Sequence, residues 1–422
     1  MSEADQKTLD KFIELKTEVE NKHFEDLREK LIDHIVCQPR KLRLARIKNP
    51  ERKLYSINKR RIIPTLHDRY VSMVISRAFR LKTLGRDQAI RVLIDSLNIA
   101  KGGKAAYRAI LKFDIESFFD NVRHDEIKRK ITSHPGVPRF VVEHLDSIFS
   151  ALSRMDPQLQ IDPRGIPQGV PSSSVISEVY LENLDIRLRQ HPSVILYLRY
   201  VDDIIVICDE SDTTNISNLV EKELANVGLK VNSSKEVKIV HPATVETSFE
   251  YLGYKVIFEN ESSQLKYIDI SEAKKDRYLK ALDKVSKYAI TMTCWADEQS
   301  VDTFLWLFEY LLLTHATEES VDVPRIVTGL GYNARFVTSK NTGNLNEVIR
   351  ESKKILWKSV GKIINSKLNP QICNCYNRNI YRVKDISNLV GKVNFNGIMY
   401  SSALLHIDDV SRERVRKLLW ES

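Results

Sequence analysis

The sequence "LYLRYVDDIIVICDE" at residues 196–210 places two adjacent aspartates, Asp202 and Asp203, between two runs of apolar, strand-forming residues. Side chains alternate between the two faces of a strand, so neighbouring aspartates cannot both point into a core. A tight hairpin between "LYLRY" and "IIVIC" avoids this conflict because it brings both carboxylates to the tip of the strand pair. The pattern therefore predicts two paired strands joined by a turn that carries adjacent negative charges.

A third carboxylate, Asp114, ends another strand-like segment, "AILKFD". Hard cations such as Mg²⁺ prefer oxygen ligands and are usually held by one or two carboxylates together with substrate phosphates. Two such ions can activate an attacking hydroxyl and stabilise the leaving oxygen of a phosphoryl transfer. Aspartates are also common in ordinary polar turns, so the residues by themselves leave a turn without chemistry as the alternative.

The charge of the chain is unevenly distributed. The net charge is +9 over 422 residues, and residues 40–61 contain ten lysines or arginines against the single acid Glu51. Such a run is either a solvated basic face or a surface that meets phosphates and gains affinity by counterion release. The length predicts more than one lobe, and 42% hydrophobic with 29% charged residues is typical of a folded protein.

Several protein classes are disfavoured. The longest apolar clusters are far shorter than a membrane span, and the N-terminus lacks the pattern of a secretory signal, which predicts a cytoplasmic protein without membrane contact. The five cysteines form no CxxC pair, so neither a disulfide framework nor a zinc site is predicted.

Periodicity predicts an α+β chain. An amphipathic helix is expected within residues 7–35. Around "RIIPTLHDRYV" an extended run is expected to end at Pro64, with Asp68 capping the helix that follows. Short strands and helices alternate from residue 106, including one long helix over 172–191 and another that ends at Gly228, and helical patterns dominate after "EYLGYKVIF".

Six segments together resemble, in order, the motifs of reverse transcriptases. "RYVDDIIVI" is similar to the YxDD motif of that family, and "LKFDIESFFDNV" to its first palm motif. The other four segments are similar to the fingers motif, the motif that handles template and primer, the segment after the catalytic pair, and the primer grip: "KRRIIPTLHDRYV", "RGIPQGVPSSSVISEVYLENLD", "GLKVNSSKEVKI" and "FEYLGYKV".

This resemblance implies a right-hand polymerase fold. Fingers and palm are expected at residues 40–262, after an N-terminal helical segment at 1–39. A helical thumb at 263–345 and a C-terminal helical extension at 346–422 are expected to follow.

The resemblance also implies roles for individual residues. Asp114, Asp202 and Asp203, with the backbone carbonyl of Ile115, would bind two Mg²⁺ ions, for which Mn²⁺ is a substitute. Lys235 would protonate the pyrophosphate leaving group, although Glu236 replaces the small hydroxyl residue that usually follows it.

Other residues are expected at the substrate. Phe119 occupies the position of the aromatic residue that crowds the sugar 2′ position, while its neighbour Phe118 is expected to pack in the core. Gly165 and Gly169 would let the backbone approach the template. The remaining expected substrate contacts are Tyr200 of the YxDD motif, Gln168 in the nucleotide pocket, and Arg61 with Lys59 or Arg60 at the triphosphate.

The implied activity is RNA-directed DNA synthesis from an RNA template, a DNA or RNA primer and deoxynucleoside triphosphates. The "GIPQG" form is most similar to prokaryotic enzymes, and the long helical C-terminal part favours the defence-associated class, in which a cognate non-coding RNA is copied during antiviral immunity. A retron enzyme, favoured by "VTG" at 327–329, and a group II intron enzyme are the alternatives.

Two other classes of protein are alternatives. A non-catalytic RNA-binding descendant is disfavoured because all three aspartates are present. A protein-primed or template-independent DNA polymerase stays open, since the sequence does not select a priming hydroxyl. The oligomeric state stays open too.

Overall fold

A computed structural model describes residues 22, 25–26, 28–30, 32, 42–47, 53–57, 62–82, 84–99, 108–156, 158–240, 246–259, 265–291, 304, 306–308, 310–312, 315–317, 327–339, 343–365 and 405–407. The chain divides into two compact units. Unit 1 comprises Met1–Gly85 and Arg108–Lys238, and unit 2 comprises Arg86–Tyr107 and Ile239–Ser422. The described residues form both helices and sheets, which confirms the predicted α+β class.

Unit 1 contains two sheets. An antiparallel hairpin pairs β1 (Leu44–Ile47) with β2 (Leu54–Ile57). A four-stranded sheet has the order β4-β5-β3-β6. Its strands are β3 (Arg108–Asp114), β4 (Val194–Tyr200), β5 (Asp203–Asp209) and β6 (Val237–Val240).

The inner strand β5 explains the most apolar run of the sequence. Its five residues from Ile204 to Cys208 are all buried, so both faces of the strand are covered. A short, continuous run of β-branched residues is the pattern expected for such a strand. The strand pair predicted around Asp202 and Asp203 is confirmed, because β4 and β5 are antiparallel neighbours.

Besides further helical residues described between 22 and 32 and between 304 and 312, twelve α-helices have their bounds within the described residues. They are α1 (Ile62–Ala78), α2 (Arg86–Ile99), α3 (Phe118–Asn121), α4 (His124–Ser133), α5 (Arg139–Met155), α6 (Gln158–Ile161), α7 (Pro171–Tyr180), α8 (Glu182–Gln190), α9 (Thr213–Asn226), α10 (Glu272–Thr291), α11 (Leu330–Ala334) and α12 (Asn344–Asn365). None of the described helices has the combination of length and apolarity needed to cross a membrane.

The start of α1 corrects one prediction. The helix begins at Ile62, so Pro64 lies in its first turn, where a missing N–H removes no helical hydrogen bond. Asp68 is fully buried in the next turn and does not cap its own helix. One carboxylate oxygen lies 2.9 Å from Nε2 of His144, and the other accepts a hydrogen bond from the Ser172 N–H at 2.9 Å. Asp68 therefore provides a hydrogen-bond acceptor for a backbone N–H in the first turn of α7.

The long helix predicted over residues 172–191 is in fact two helices, α7 and α8, which meet at Leu181. The buried ammonium of Lys130 donates to the carbonyls of Val179 and Tyr180, both at 3.1 Å. A cation at a helix C-terminus satisfies carbonyls that have no partner inside the helix. The break therefore depends on a residue 49 positions before Val179, which the local pattern does not reveal.

Unit 2 also mixes sheet and helix. Strands β7 (Ser248–Tyr251), β8 (Tyr254–Phe258) and β9 (Leu265–Ile270) form an antiparallel sheet, and β10 (His315–Thr317), β11 (Val327–Thr328) and β12 (Leu405–Ile407) form a second one. Helices α10 and α12 pack together over a core that includes Phe304, Phe308 and Leu345. The domain boundary predicted between residues 345 and 346 falls inside α12.

Two predicted helices lie largely or wholly outside the described residues. Those described between residues 22 and 32 are helical, while the rest of the predicted helix at 7–35 lies outside the description. The last stretch of the predicted helical extension at 346–422, "SRERVRKLLWES", lies outside it entirely.

Candidate active site

The turn between β4 and β5 carries the paired aspartates. Tyr200 and Asp203 are partners across the hairpin, so Val201 and Asp202 form a two-residue loop. Val201 has a φ of 60°, and of these two residues it alone has a positive φ, as in a type II′ turn. A β-branched residue in this region is strained by about 1–3 kcal/mol, so surrounding contacts must hold the turn in place.

The third aspartate lies on the neighbouring strand. Asp114 ends β3 and is the partner of Asp203 across the β3–β5 pair, just as Tyr200 is its partner across β4–β5. Directly opposite residues of antiparallel strands point to the same face, with Cβ atoms about 4.5–5.5 Å apart. The fold therefore brings Asp114, Asp202 and Asp203 to one end of one sheet, as the sequence predicted.

Backbone hydrogen bonds tie this end of the sheet together. The N–H of Ile115 donates to the carbonyl of Asp202 at 3.3 Å, and the N–H of Asn232 donates to the carbonyl of Asp114 at 2.8 Å. Ile115 is buried and pairs with Val231 in an antiparallel bridge. The loop that carries Lys235 is thus fastened directly to the first aspartate.

Two lysines contact the carboxylates. Nζ of Lys235 lies 3.2 and 3.0 Å from the two oxygens of Asp114, and Nδ2 of Asn232 lies 3.3 Å from one of them. Nζ of Lys112, on the same strand and face as Asp114, lies 3.5 Å from Oδ1 of Asp203. Lys235 is brought to the aspartates as predicted, whereas Lys112 was missed, although its position two residues before Asp114 places it on the same face.

Burial and repulsion act on both paired aspartates. Burial raises the pKa of Asp202 most strongly, and the charges of Asp203 and Asp114 raise it further. Burial also raises the pKa of Asp203, again with a contribution from Asp114 that Lys112 opposes. A bound cation stabilises close carboxylates that raise each other's pKa, because an opposite charge favours their ionised forms.

The donor set suits a hard cation. Asp114, Asp202 and Asp203 offer carboxylate oxygens at this end of the sheet, the ligands that Mg²⁺ prefers. Within the described ranges, no three His, Cys, Asp or Glu side chains are arranged as a ready-made metal site. The chemistry of the three carboxylates fits a Mg²⁺ site that substrate phosphates help to complete, which is how this ion is usually bound.

A buried ionic network lies on the opposite face of the hairpin. Arg199 donates to Asp185 at 2.7 and 2.6 Å and to Glu178 at 2.7 Å, and Tyr197 donates to Asp185 at 2.6 Å. Nη1 of Arg199 also donates to the carbonyl of Val201 at 3.1 Å. The network thus holds the strained turn, and sequence reasoning missed it. The available signal was an arginine within the otherwise apolar strand "VILYLRY".

The "GIPQG" loop packs against the hairpin β1–β2. The N–H of Tyr55 donates to the carbonyl of Gln168 at 2.8 Å. Gly169 has a φ of 97°, and a Cβ there would lie 2.8 Å from the carbonyl oxygen of Tyr55. Gly165, with a φ of 89°, similarly faces the backbone of Asp120 at 3.4 Å. Gly169 therefore permits close packing against the chain's own backbone, whereas Gly165 is favoured by its positive φ and its neighbours lie at ordinary van der Waals distance.

Gly169→Ala is expected to destabilise unit 1 because the new Cβ meets fixed backbone and alanine disfavours a positive φ. We expect the free energy of unfolding to fall by about 1–3 kcal/mol, measured by urea unfolding. Gly136→Ala is the matched control, since its Cβ would meet a movable His134 side chain at 3.2 Å. Equal losses in the two variants would contradict the close approach of Tyr55.

The two phenylalanines after Asp114 are in different environments. Phe118 is buried, whereas Phe119 is partly exposed and meets the Phe118 ring edge to face at 5.6 Å. The carbonyl of Phe119 accepts a hydrogen bond from the N–H of Ile166 at 2.8 Å. This arrangement agrees with the expectation that Phe118 packs in the core and leaves the ring of Phe119 accessible.

The remaining predicted residues are divided between described and undescribed parts of the chain. Tyr200 is partly buried and shares the face of Asp203. Gln168 lies in the loop beside Tyr55. Lys59, Arg60 and Arg61 lie outside the described residues.

A family model described as Reverse transcriptase (RNA-dependent DNA polymerase) matches residues 47–256. The match includes the hairpin with its paired aspartates, Asp114, the "GIPQG" loop and Lys235. It supports the polymerase fold implied by the sequence motifs. No curated protein matches the chain.

Similar solved structures include three telomerase structures. Apo telomerase from Candida tropicalis truncated from its C-terminal domain is 17% identical with a TM-score of 0.40, and the match covers 55% of this chain and 54% of that one. Telomerase from Candida albicans in complex with a TWJ fragment of telomeric RNA is 14% identical, with a TM-score of 0.41 and coverages of 89% and 61%. Apo telomerase from Candida tropicalis is 13% identical, with a TM-score of 0.42 and coverages of 90% and 69%. The chain thus spans about half to two thirds of the length of these proteins.

Proposed function

This chain contains a reverse transcriptase domain, and on that premise we propose that it is an RNA-directed DNA polymerase. It copies an RNA template into DNA by adding deoxynucleotides to a primer 3′-hydroxyl. The observation that carries the proposal is the hairpin turn bearing Asp202 and Asp203, directly beside Asp114 in the sheet.

In this mechanism the aspartates serve as metal ligands. Asp114, Asp202, Asp203 and the carbonyl of Ile115 would hold two Mg²⁺ ions, or Mn²⁺ in their place, and these ions would supply activation of the 3′-hydroxyl and neutralisation of the triphosphate charge. The sheet supplies preorganisation, since the carboxylates are held by strand ends and do not reorganise during the reaction.

Two lysines and several substrate-contacting residues have roles next to the aspartates. Lys112 remains beside Asp203 as a fixed positive charge. The side chain of Lys235 is 58% exposed, so it can leave Asp114 when substrate arrives and deliver a proton to the pyrophosphate. Gln168 and Tyr200 contact the nucleotide and primer end, and Arg61 with Lys59 binds the triphosphate.

Phe119 selects the sugar in this proposal. Replacing it with valine is expected to lower the preference for deoxynucleotides over ribonucleotides about ten-fold or more, because the ring no longer fills the space beside C2′. The ratio of kcat/KM values for the two nucleotide classes measures this. Phe118→Leu is the control: it is expected to reduce stability with the ratio unchanged, and a drop in the ratio for Phe118→Leu alone would reverse the assignment.

The biological setting is proposed from the resemblance alone. We place the enzyme in the cytoplasm among defence-associated reverse transcriptases, with a cognate non-coding RNA as template. Retron and group II intron enzymes, and a protein-primed polymerase, are the alternatives. Sequencing the RNA that copurifies with the protein tests this setting, because one structured RNA is expected for a defence or retron enzyme. Intact-mass measurement after the reaction tests protein priming, which would leave DNA covalently attached to the protein.

Primer extension tests the activity. Purified protein with an RNA template, a DNA primer, deoxynucleotides and Mg²⁺ is expected to make template-length DNA that a nuclease specific for DNA removes. The double variant Asp202→Ala with Asp203→Ala is expected to make none. Synthesis that is equal in the wild type and the double variant, or absent from both, would refute the proposal.

A further inference from the structure

A lysine interrupts the apolar strand that leads to the first aspartate. Apart from Lys112, the residues of β3 from Ala109 to Phe113 are all apolar and buried. Taking a charged group out of water is costly unless a partner of opposite charge compensates it. Only 13% of the Lys112 side chain is exposed, so its charge requires such a partner within the sheet.

The register of the sheet directs this charge toward the aspartates. Lys112 lies opposite the buried Ile205 of β5, and Asp203 lies two residues before Ile205 on the same face. The ammonium group of Lys112 therefore reaches diagonally along β5, where it lies 3.5 Å from Oδ1 of Asp203. The partner of the buried lysine is thus one of the three aspartates.

The two lysines beside the aspartates differ in how they are held. Lys235 lies in a short turn at Ser233–Lys235, and its side chain is largely exposed. Lys112 belongs to β3, which lies between β5 and β6 in the sheet. Lys235 is therefore free to leave Asp114 when substrate arrives, whereas Lys112 keeps its place beside Asp203.

This difference sets the charge that the site offers to a cation. The three carboxylates supply up to three negative charges, and one of them is uncompensated while both lysines are in place. Two are uncompensated when Lys235 leaves, because Lys112 stays. A positive charge within about 4–6 Å of a carboxylate weakens its binding of a proton about ten-fold or more. A divalent cation at the same carboxylate meets the same opposition.

We propose that Lys112 is a positioning residue that holds Oδ1 of Asp203 and weakens the binding of divalent cations to the enzyme without substrate. Lys112 and an incoming cation compete for the charge of the same carboxylate. In the substrate complex, phosphates add the negative charge that Lys112 offsets. This inference rests on the proposed function, which implies metal ions at these aspartates.

Mn²⁺ binding by the full chain, without nucleotide or nucleic acid, tests the proposal. Electron paramagnetic resonance of the free ion gives the Kd. Lys112→Met is expected to bind Mn²⁺ about ten-fold more tightly than the wild type, because the opposing charge is gone. Lys112→Arg keeps the charge and is expected to stay within about two-fold of the wild type, as is Lys222→Met, which removes an exposed charge from α9.

A double variant assigns the effect to the aspartates. Adding Asp203→Asn to Lys112→Met is expected to abolish the gain in affinity, and a gain that persists would overturn the proposal. It is overturned as well if Lys112→Met binds Mn²⁺ no more tightly than Lys222→Met. An equal gain in Lys112→Arg would overturn it too, since the effect would then come from side-chain shape and not from charge.

Thermal unfolding provides a second measurement that does not depend on activity. Methionine suits an apolar strand, and Lys112→Gln is a second neutral variant that keeps a hydrogen-bond donor. Addition of Mn²⁺ is expected to raise Tm more in both neutral variants than in the wild type, because a more tightly bound ligand stabilises the folded state more. If neither variant shows the larger rise, the proposal is wrong.

Metal binding and DNA synthesis are tested independently. Tighter Mn²⁺ binding by Lys112→Met, together with no primer extension by the wild type, would refute the proposed function and leave the role of Lys112 standing. Primer extension by the wild type, together with unchanged Mn²⁺ affinity in the neutral Lys112 variants, would refute the role of Lys112 and leave the proposed function standing.

Discussion

Asp203→Asn is expected to reduce kcat for DNA synthesis about a thousand-fold or more, because it removes one of the charges on which metal binding and transition-state stabilisation depend. Asparagine has nearly the same shape, so the hairpin is expected to form as before. Single-turnover primer extension measures the chemical step, and the concentration of Mg²⁺ needed for half-maximal rate is expected to rise.

The same strand provides the control. Asp209 is an exposed aspartate at the other end of β5, and Asp209→Asn makes the same change 6 positions away. It is expected to leave kcat within about two-fold of the wild type, as exposed single substitutions usually change little. Equal activity of the two variants would show that Asp203 takes no part in catalysis.

Stability provides a second contrast for Asp203. Burial and the neighbouring Asp114 raise its pKa above the unfolded value, so the ionised form at neutral pH lowers the stability of the folded state. Asp203→Asn is therefore expected to keep or raise Tm while it strongly reduces kcat. This combination is typical of catalytic residues and is not expected of a residue that only supports the fold.

Arg199→Met is expected to cause the largest loss of stability, about 3–5 kcal/mol, because it leaves the buried Asp185 and the partly buried Glu178 without their cation. Tyr197→Phe is the matched control, since it removes one hydrogen bond to Asp185 and leaves the bond from Arg199 to Val201 in place. It is expected to cost about 1 kcal/mol. Urea unfolding measures both.

A second substitution tests whether the loss comes from unpaired charge. Adding Glu178→Gln to Arg199→Met removes one of the two stranded carboxylates, so it is expected to restore part of the lost stability. The same Glu178→Gln change in the wild type is expected to be destabilising, because it breaks a hydrogen-bonded pair. If the stability changes of Glu178→Gln and Arg199→Met were additive, an energetic coupling between these two residues would be ruled out.

Arg199→Lys separates stability from positioning. Lysine keeps the charge but cannot hold Asp185 with two parallel bonds and also reach the Val201 carbonyl. The turn then loses its support, and we expect kcat to fall about ten-fold with little change in the KM for nucleotide, since a small displacement of the aspartates affects the chemical step more than binding. Unchanged kcat in Arg199→Lys would show that the turn keeps its conformation without the hydrogen bond from Arg199.

Local sequence determined much of this site. Adjacent aspartates between two apolar runs leave few arrangements other than a hairpin tip, because strand side chains alternate between faces. Gly228 likewise ends its helix with a φ of 77°, as its position predicted. These features depend on contacts among neighbours in the chain, which a short window of sequence contains.

Only the tertiary structure decided the rest, because the partners are far apart in the chain. Lys130 ends α7 from 49 residues away, Asp68 caps that helix from 104 residues away, and Lys235 meets Asp114 across 121. Each contact includes a buried charged group, Lys130, Asp68 or Asp114, whose burial is tolerated only with a specific partner. Sequence patterns indicate which face of an element is buried. They do not indicate which distant group pairs with a buried charge, because that is decided only when the elements pack together.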